Sequence, residues 1–266
     1  MSGSVAPQRE HHCDLSNSQA DKLGDCLRKI PPTPDQLRQL DSFRQSFSPS
    51  YRDVYYRLTH ILGMPVTGRP AKSTASIVEK LRREKVRLSQ MQDIAGCRVI
   101  VDDTINQNNL LKKVCLILGS DSIDDRRSHP SHGYRAIHVI ATLNGRPVEV
   151  QIRSRLQHIW AELSEKFADV FGSAIKYGQG DEDILHILSD LSDRVATVEQ
   201  HEQIVADVLQ MRADGRLKRL RNMGKATKEQ IRAVKNANAQ LTAEREAAHE
   251  VLHEIRGLVS RHGLAS

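Results

Sequence analysis

Arg69 and Lys72 fall just ahead of a run that reads as a helix, with Ser73 or Thr74 as its N-cap. Cations at a helix start suit a polyphosphate, which gains from their charge and from the free N–H groups there. Asp93 comes shortly before Gly96 and the Val99-Ile100-Val101 run. That pattern is a loop entering a buried strand, a place where ligands for hard cations are found, the alternative being a plain loop residue after a helix. Tyr134, Ala136, His138 and Ile140 recur at a spacing of two, and so do Glu149, Gln151 and Arg153. Strand geometry puts each set on one face, so a Tyr, a His and a carboxylate can meet across a ladder.

These side chains need elements to hold them. Asn144-Gly145 separates the two alternating runs and predicts a tight hairpin, because both residues tolerate positive φ. The segment from Gly63 to Pro70 reads as a loop. A helix over about 75–89 carries Lys80, Arg82, Arg83, Lys85 and Arg87, five like charges that either draw in an anion or form a solvated basic face. Residues 105–119 read as an amphipathic helix, and Arg155 to about Val170 as another that holds the single Trp, Trp160, completing a βαββα unit. Before this unit, a helix from Thr33 or Asp35 with Leu37, Leu40, Phe43 and Phe47 and a second over about 50–62 read as packing helices.

Past Gly180 the pattern changes. Ile184, Leu185, Ile187, Leu188, Leu191, Val195 and Val198 mark one long helix to about Gln210, and Leu241, Val251, Leu252, Ile255 and Leu258 mark another over about 227–260. Between them Arg212, Arg216, Lys218, Arg219, Arg221 and Lys225 form a basic connection, either a solvated linker or a nucleic-acid contact. The apolar stripes require the domain itself, a second copy or a partner protein. The expected organisation is a flexible segment over 1–30, a catalytic domain over 31–180 that includes the packing helices, and a helical C-terminal extension over 181–266.

At 266 residues and 39% hydrophobic, the chain can bury a proper core, and a net charge of +6 with a pI near 9.2 favours polyanionic partners. Cys13, Cys26, Cys97 and Cys115 form no CxxC pair, which fits a reducing, cytoplasmic setting. His11-His12-Cys13 lacks the second ligand pair of a metal site. No apolar run approaches the roughly 20 residues of a membrane span, so no membrane partner is expected.

Four motifs in order then resemble a known family. They are Arg69-x-x-Lys72-x-x-x-Ser76-Ile77-x-x-Lys80, Asp93-Ile94-Ala95-Gly96-x-Arg98, Gly133-Tyr134-Arg135-Ala136-Ile137-His138 and Val148-Glu149-Val150-Gln151-Ile152-Arg153, with Trp160-Ala161-Glu162 downstream. Over about residues 45–180 this looks like the synthetase domain of RelA/SpoT proteins, of the small alarmone synthetase type. The resemblance implies an α+β fold, a nucleotidyltransferase-like mixed sheet flanked by helices, with the long helical extension behind it. It implies transfer of the ATP β,γ-diphosphate to a 3′-hydroxyl, that of GDP or GTP, giving (p)ppGpp.

By position, Arg69, Lys72, Ser76, Lys80 and Arg98 would hold ATP, Asp93 and Glu149 would bind Mg²⁺ or Mn²⁺, and Tyr134, with Arg126, Arg127, Arg135 and Arg153, would take the acceptor. The residue types agree, because pyrophosphoryl transfer needs positioning and charge neutralisation above all. Glu149 is the natural group to orient or deprotonate the attacking hydroxyl, with His138 and Gln151 as helpers. The chain also departs from the family. Asp125-Arg126-Arg127-Ser128-His129-Pro130-Ser131-His132 lacks the usual Lys-rich pattern, and Trp160 is followed by Ala161-Glu162-Leu163-Ser164-Glu165-Lys166 where a Glu-His is common. With Ile175-Lys176-Tyr177-Gly178, this segment looks like the branch that holds toxins of toxin–antitoxin pairs. That leaves open a second acceptor, the 3′ CCA end of tRNA, and with it an antitoxin partner or a homo-oligomer formed through the C-terminal helices.

Overall fold

The computed structural model describes residues 15–29, 31–215, 219 and 228–263. The readings on His11, His12, Cys13, Arg216, Lys218, Arg221 and Lys225, and on the side chains of Arg212 and Leu258, lie outside the described residues. The chain divides into two compact units, one of Met1–Cys97, Ile117–Ser122 and Ile140–Val150, the other of Arg98–Leu116, Ile123–Val139 and Gln151–Ser266.

Strand β4, Ile137–Leu143, turns through Asn144 at φ 50 and Gly145 at φ 78 into β5, Arg146–Ser154. Both positive angles are what a two-residue turn between right-twisted strands demands. With β1 (Val66–Arg69), β2 (Ala95–Val101) and β3 (Ser122–Asp125) they form a five-stranded sheet in the order β1-β2-β5-β4-β3. The inner strands are Val/Ile-rich because both faces are covered, and Val99, Val139, Val148, Val150 and Ile152 are fully buried. The α+β class expected from the sequence is the one observed.

Two strands go beyond the sequence reading, β1 in the segment that reads as loop and β3 in a stretch to which the sequence assigned no element. β1 contains Gly68 and is bracketed by Pro65 and Pro70, and β3 is the polar run Ser-Ile-Asp-Asp. Both are sheet edges, where pairing on one side only makes few demands on side chains and charge is a protection against further pairing.

In the first unit, α1 (Asn17–Lys29), α2 (Pro34–Gln45), α3 (Ser48–Tyr56) and a π-helical turn, Arg57–Ile61, lead to β1 and then α4 (Thr74–Arg83). Thr33 caps α2 in a capping box with Gln36, as the Pro-rich start suggested. Helix α1 lies within the 1–30 segment that reads as flexible. Its buried face is Ala20, Leu23, Gly24 and Leu27, and two small residues in four make a weak apolar signal.

Helix α4 also ends earlier than the expected 89. Glu84 is extended at φ −108, ψ 147, and Arg28 donates to the Val86 carbonyl, so residues 84–87 deliver Leu88 against Gly24 of α1. Only Lys80, Arg82 and Arg83 are helical, in the last turn, where cations complement the helix dipole. Arg83 is answered by Glu79 and Glu84.

The second unit holds α5 (Thr104–Leu118), α6 (Arg155–Phe171), α7 (Glu182–Ala213) and α8 (Lys228–Gly263). Trp160, Leu163 and Phe167 of α6 pack with Leu188, Leu191, Val195 and Val198 of α7 and Leu241 and Leu252 of α8 in one buried cluster. Most of the two stripes is therefore covered within the chain, while Ile187 and Val251 stay exposed at 40% and 39%. Among the described residues no helix is long and apolar enough to cross a membrane.

Two glycines with positive φ separate backbone strain from close packing. A Cβ at Gly145 (φ 78) meets nothing within 4 Å, whereas one at Gly133 (φ 84) falls 2.7 Å from the Trp160 ring and 3.2 Å from Ser192 Cβ. Gly145→Ala should cost about 1 kcal/mol, and Gly133→Ala about 3 kcal/mol because overpacking adds to the strain. Urea unfolding of both variants checks the difference, and equal losses would contradict it.

Candidate active site

Asp93, in the loop two residues ahead of β2, is where three cations converge. Arg69, the last residue of β1, donates from Nη2 to the Asp93 carbonyl at 3.1 Å. Lys72 Nζ lies 2.7 Å from Oδ2 and Lys80 Nζ 3.0 Å from Oδ1. The loop is registered by its backbone, since Lys72 N–H donates to Ile94 C=O at 2.7 Å. Ser73 caps α4 by accepting from Ser76 N–H at 3.2 Å, and its hydroxyl donates to Ser76 Oγ at 2.8 Å, which places Ser76 and Lys80 one turn apart.

Burial pushes the Asp93 carboxyl up, but Lys72 and Lys80 outweigh it and hold the group down at about 2. Glu149 sits on β5, 9% exposed, and its carbonyl lies 3.2 Å from where a Gly96 Cβ would stand, so a larger residue there would have to push the Glu149 backbone aside by a few tenths of an ångström. Asp93 and Glu149, the two expected metal ligands, belong to this same unit. Among the described residues no three His, Cys, Asp or Glu side chains gather to hold a metal. Two carboxylates, one ionised down to low pH, fit Mg²⁺ when phosphate oxygens and water complete the shell, and do not fit a cage made of protein alone.

The second unit gathers another set. Tyr134 Oη lies 2.9 Å from His138 Nε2, and Arg153 donates from Nη2 to Tyr134 Oη at 2.9 Å and to Gln151 Oε1 at 3.0 Å. The guanidinium carbons of Arg153 and Arg126 lie 5.0 and 5.7 Å from the Tyr134 ring centroid, within cation–π range. Tyr134 is not on the strand, as its spacing suggested. His132 at φ 51 and Gly133 at φ 84 turn the chain first, Tyr134 N–H donates to Ser131 C=O, and β4 begins at Ile137. Its contact with His138 survives because the turn folds its ring back toward β4.

Three expected acceptor residues differ in commitment. Arg126 pairs with Asp124 at 2.7 Å and keeps a 36% exposed side chain. Arg127 is occupied by Asp125, Gln107 and Asn108, and Arg135 by Glu199, so these two act inside the protein. Arg98, on β2, is half-buried beside His158. Sequence reasoning passed over Ser192, Glu199 and Glu202 of α7, all buried. The available signal was their position, since they interrupt the stripe Leu188, Leu191, Val195, Val198, Val205 at the spacing of the stripe itself.

Residues 68–168 match the sequence profile of a region found in RelA / SpoT proteins. An uncharacterized protein of Mycobacterium tuberculosis is 41% identical over 123 residues, 45% of this chain and 45% of that protein. A probable chloroplastic GTP diphosphokinase of Arabidopsis thaliana is 33% identical over 123 residues, 44% of this chain and 16% of that one. The chain spans under half the length of the curated relatives it matches. The crystal structure of the small alarmone synthetase 1 from Bacillus subtilis bound to its product pppGpp superposes with a TM-score of 0.52 at 22% identity, over 65% of this chain and 99% of that one. At that identity the likeness is one of fold. The RelA/SpoT region contains Arg69, Asp93, Tyr134, Glu149 and Trp160, and stops short of α7.

The Asp93 charge makes a stability prediction. Its folded value of about 2 is below the ordinary 3.8, so its contribution is complete above about 4 and is lost as pH falls toward 2. Wild type should lose about 2 kcal/mol more than Asp93→Asn over that interval, measured by urea unfolding at each pH. Parallel pH profiles would show that Lys72 and Lys80 do not hold the carboxylate.

Proposed function

We propose that the RelA/SpoT region is an ATP-dependent pyrophosphotransferase whose acceptor is the 3′-hydroxyl of a guanosine nucleotide, GDP or GTP. The observation that carries this reading is the ionised Asp93 carboxylate set among Arg69, Lys72 and Lys80 beside the start of α4. Cations gathered on one carboxylate suit a bound polyphosphate, because the lysines exchange one anion for another when the phosphates arrive. Similarity to a probable GTP diphosphokinase over 123 residues supports the reaction class.

In the reaction, the acceptor O3′ forms a bond to the ATP β-phosphorus, the bond from that phosphorus to the α,β-bridging oxygen breaks, and AMP leaves with the bridging oxygen. Lys72, Lys80 and Arg69 hold the donor phosphates and spread their charge, and Ser76 at the α4 start adds a hydroxyl. Glu149 orients the acceptor hydroxyl and receives its proton. Asp93 and Glu149 would hold Mg²⁺ (or Mn²⁺), which neutralises charge on the transferred group when bound. Tyr134 supplies the base platform. Arg126, the more distant and the more exposed of the two guanidiniums over its ring, is the one that yields to an incoming base.

Stacking tolerates base identity, so a terminal adenosine of tRNA is the second reading. It is favoured by the exposed Arg126 beside the platform, a phosphate contact that a mononucleotide does not require. In that case the chain is the toxin of a toxin–antitoxin pair. Incubation with γ-labelled ATP and GDP, GTP, AMP or bulk tRNA in parallel separates the two, and label in GDP or GTP alone is expected. Label confined to tRNA would replace the first reading by the second, and label in none would remove both. Asp93→Asn and Glu149→Gln should each lower turnover by about a hundredfold or more with the fold kept.

Donor binding gives an independent check. Arg69→Ala and Lys72→Ala should each weaken ATP binding by about tenfold whichever acceptor is present. Calorimetry with a non-transferable ATP analogue measures this, and an effect confined to one acceptor would move both residues to the other substrate.

A further inference from the structure

Helix α7 reaches both neighbours of Tyr134. Ser192 donates from Oγ to the Gly133 carbonyl at 2.8 Å. Seven residues on, two turns along the same face, Glu199 Oε2 accepts from Arg135 Nε at 3.0 Å and from Nη2 at 2.5 Å. Its other oxygen, Oε1, accepts from Gln157 Nε2 at 2.6 Å. Gln157 is itself fixed, since its Oε1 accepts from Gln107 Nε2 at 2.9 Å and from the Ser154 N–H that opens α6 at 3.0 Å. Under the turn lies Trp160, held by Nε1–H donating to the Leu188 carbonyl at 2.9 Å, again from α7. Gly133 and Arg135 are thus each tied to one helix, and the ring between them meets His138, Arg126 and Arg153 and packs against the apolar cluster of α6, α7 and α8.

We infer that Ser192 and Glu199 are positioning residues of the acceptor site: α7 braces the Gly133-Tyr134-Arg135 turn so that the Tyr134 ring is held ready for the acceptor base. The inference rests on the reading of Tyr134 as the base platform. It assigns part of that site to a helix beyond residues 68–168, outside the RelA/SpoT region. A buried ion pair is also an ordinary way to join a helix to a loop. The distinguishing feature is that the anchors flank Tyr134 on both sides, so loosening them frees the platform before it frees the core.

The test uses the full chain with Ser192→Ala, Glu199→Gln and wild type, with two readouts. In steady state, each variant should raise the KM of the guanosine nucleotide by about tenfold with the KM of ATP within about twofold of wild type. In hydrogen–deuterium exchange, the amides of residues 131–136 should exchange faster in the variants, with residues 69–96 unchanged. Equal rises in both KM values, or unchanged exchange over 131–136 in a folded variant, would overturn the inference. If Glu199→Gln does not fold, Ser192→Ala decides by the same two measurements. Absence of transfer by wild type to any acceptor would remove the proposed activity, and the exchange comparison would still uphold or overturn the brace.

Discussion

The attraction between the Asp93 carboxylate and its two lysines is the constraint on which the loop ahead of β2 and the start of α4 depend. Lys72 arrives from the end of β1 and Lys80 from the second turn of α4, and both meet one carboxylate that is 15% exposed. Removing any of these charges from water is costly, and a partly buried pair is rarely a net source of stability against apolar packing. What the arrangement provides is order. Two long, flexible side chains are held in one place before any ligand comes, so less of their rotamer freedom has to be lost when it does.

The same logic runs through the second unit with different groups. Glu199 holds Arg135 and Gln157, and Glu202 accepts from Thr104 N–H at 2.9 Å and Oγ1–H at 2.7 Å while facing Arg245 Nε of α8 at 3.1 Å. Burial pushes the Glu202 carboxyl up, against the Thr104 hydrogen bonds and the Arg245 charge. These acids lie in the apolar face of α7, so each must be satisfied where it stands, and each specifies a single seating of the helix. Apolar side chains alone would permit a slide by one turn at little cost. The C-terminal helices are therefore part of the architecture around the Tyr134 turn, in the same unit as residues 123–139.

Much of this was legible in the primary structure. The hairpin was readable because Asn144-Gly145 has few conformations open to it, and α2 because Thr33, Pro34 and Gln36 cap locally. The four motifs were readable because phosphate chemistry draws on few residue types, although the pairing of Asp93 with Lys72 and Lys80 was not in the pattern. Each of these rests on interactions a few residues long, or on a pattern whose spacing is itself the signal.

Only the tertiary structure decided the rest. That Lys85 and Arg87 leave α4 follows from Leu88 being taken into the core beside Gly24, a partner 64 positions away in sequence that no local propensity contains. That β1 and β3 are strands follows from the sheet supplying hydrogen bonds along one edge of each, which lets Gly68 and a polar run stay extended. That Arg127 and Arg135 serve the protein itself follows from Asp125 and Glu199 being placed against them. The sequence by itself determined which residues could bind phosphate, a cation and a base. Which of the arginines remained available depended on long-range pairing, because a charge is committed by the partner that burial brings to it and not by its neighbours in the chain.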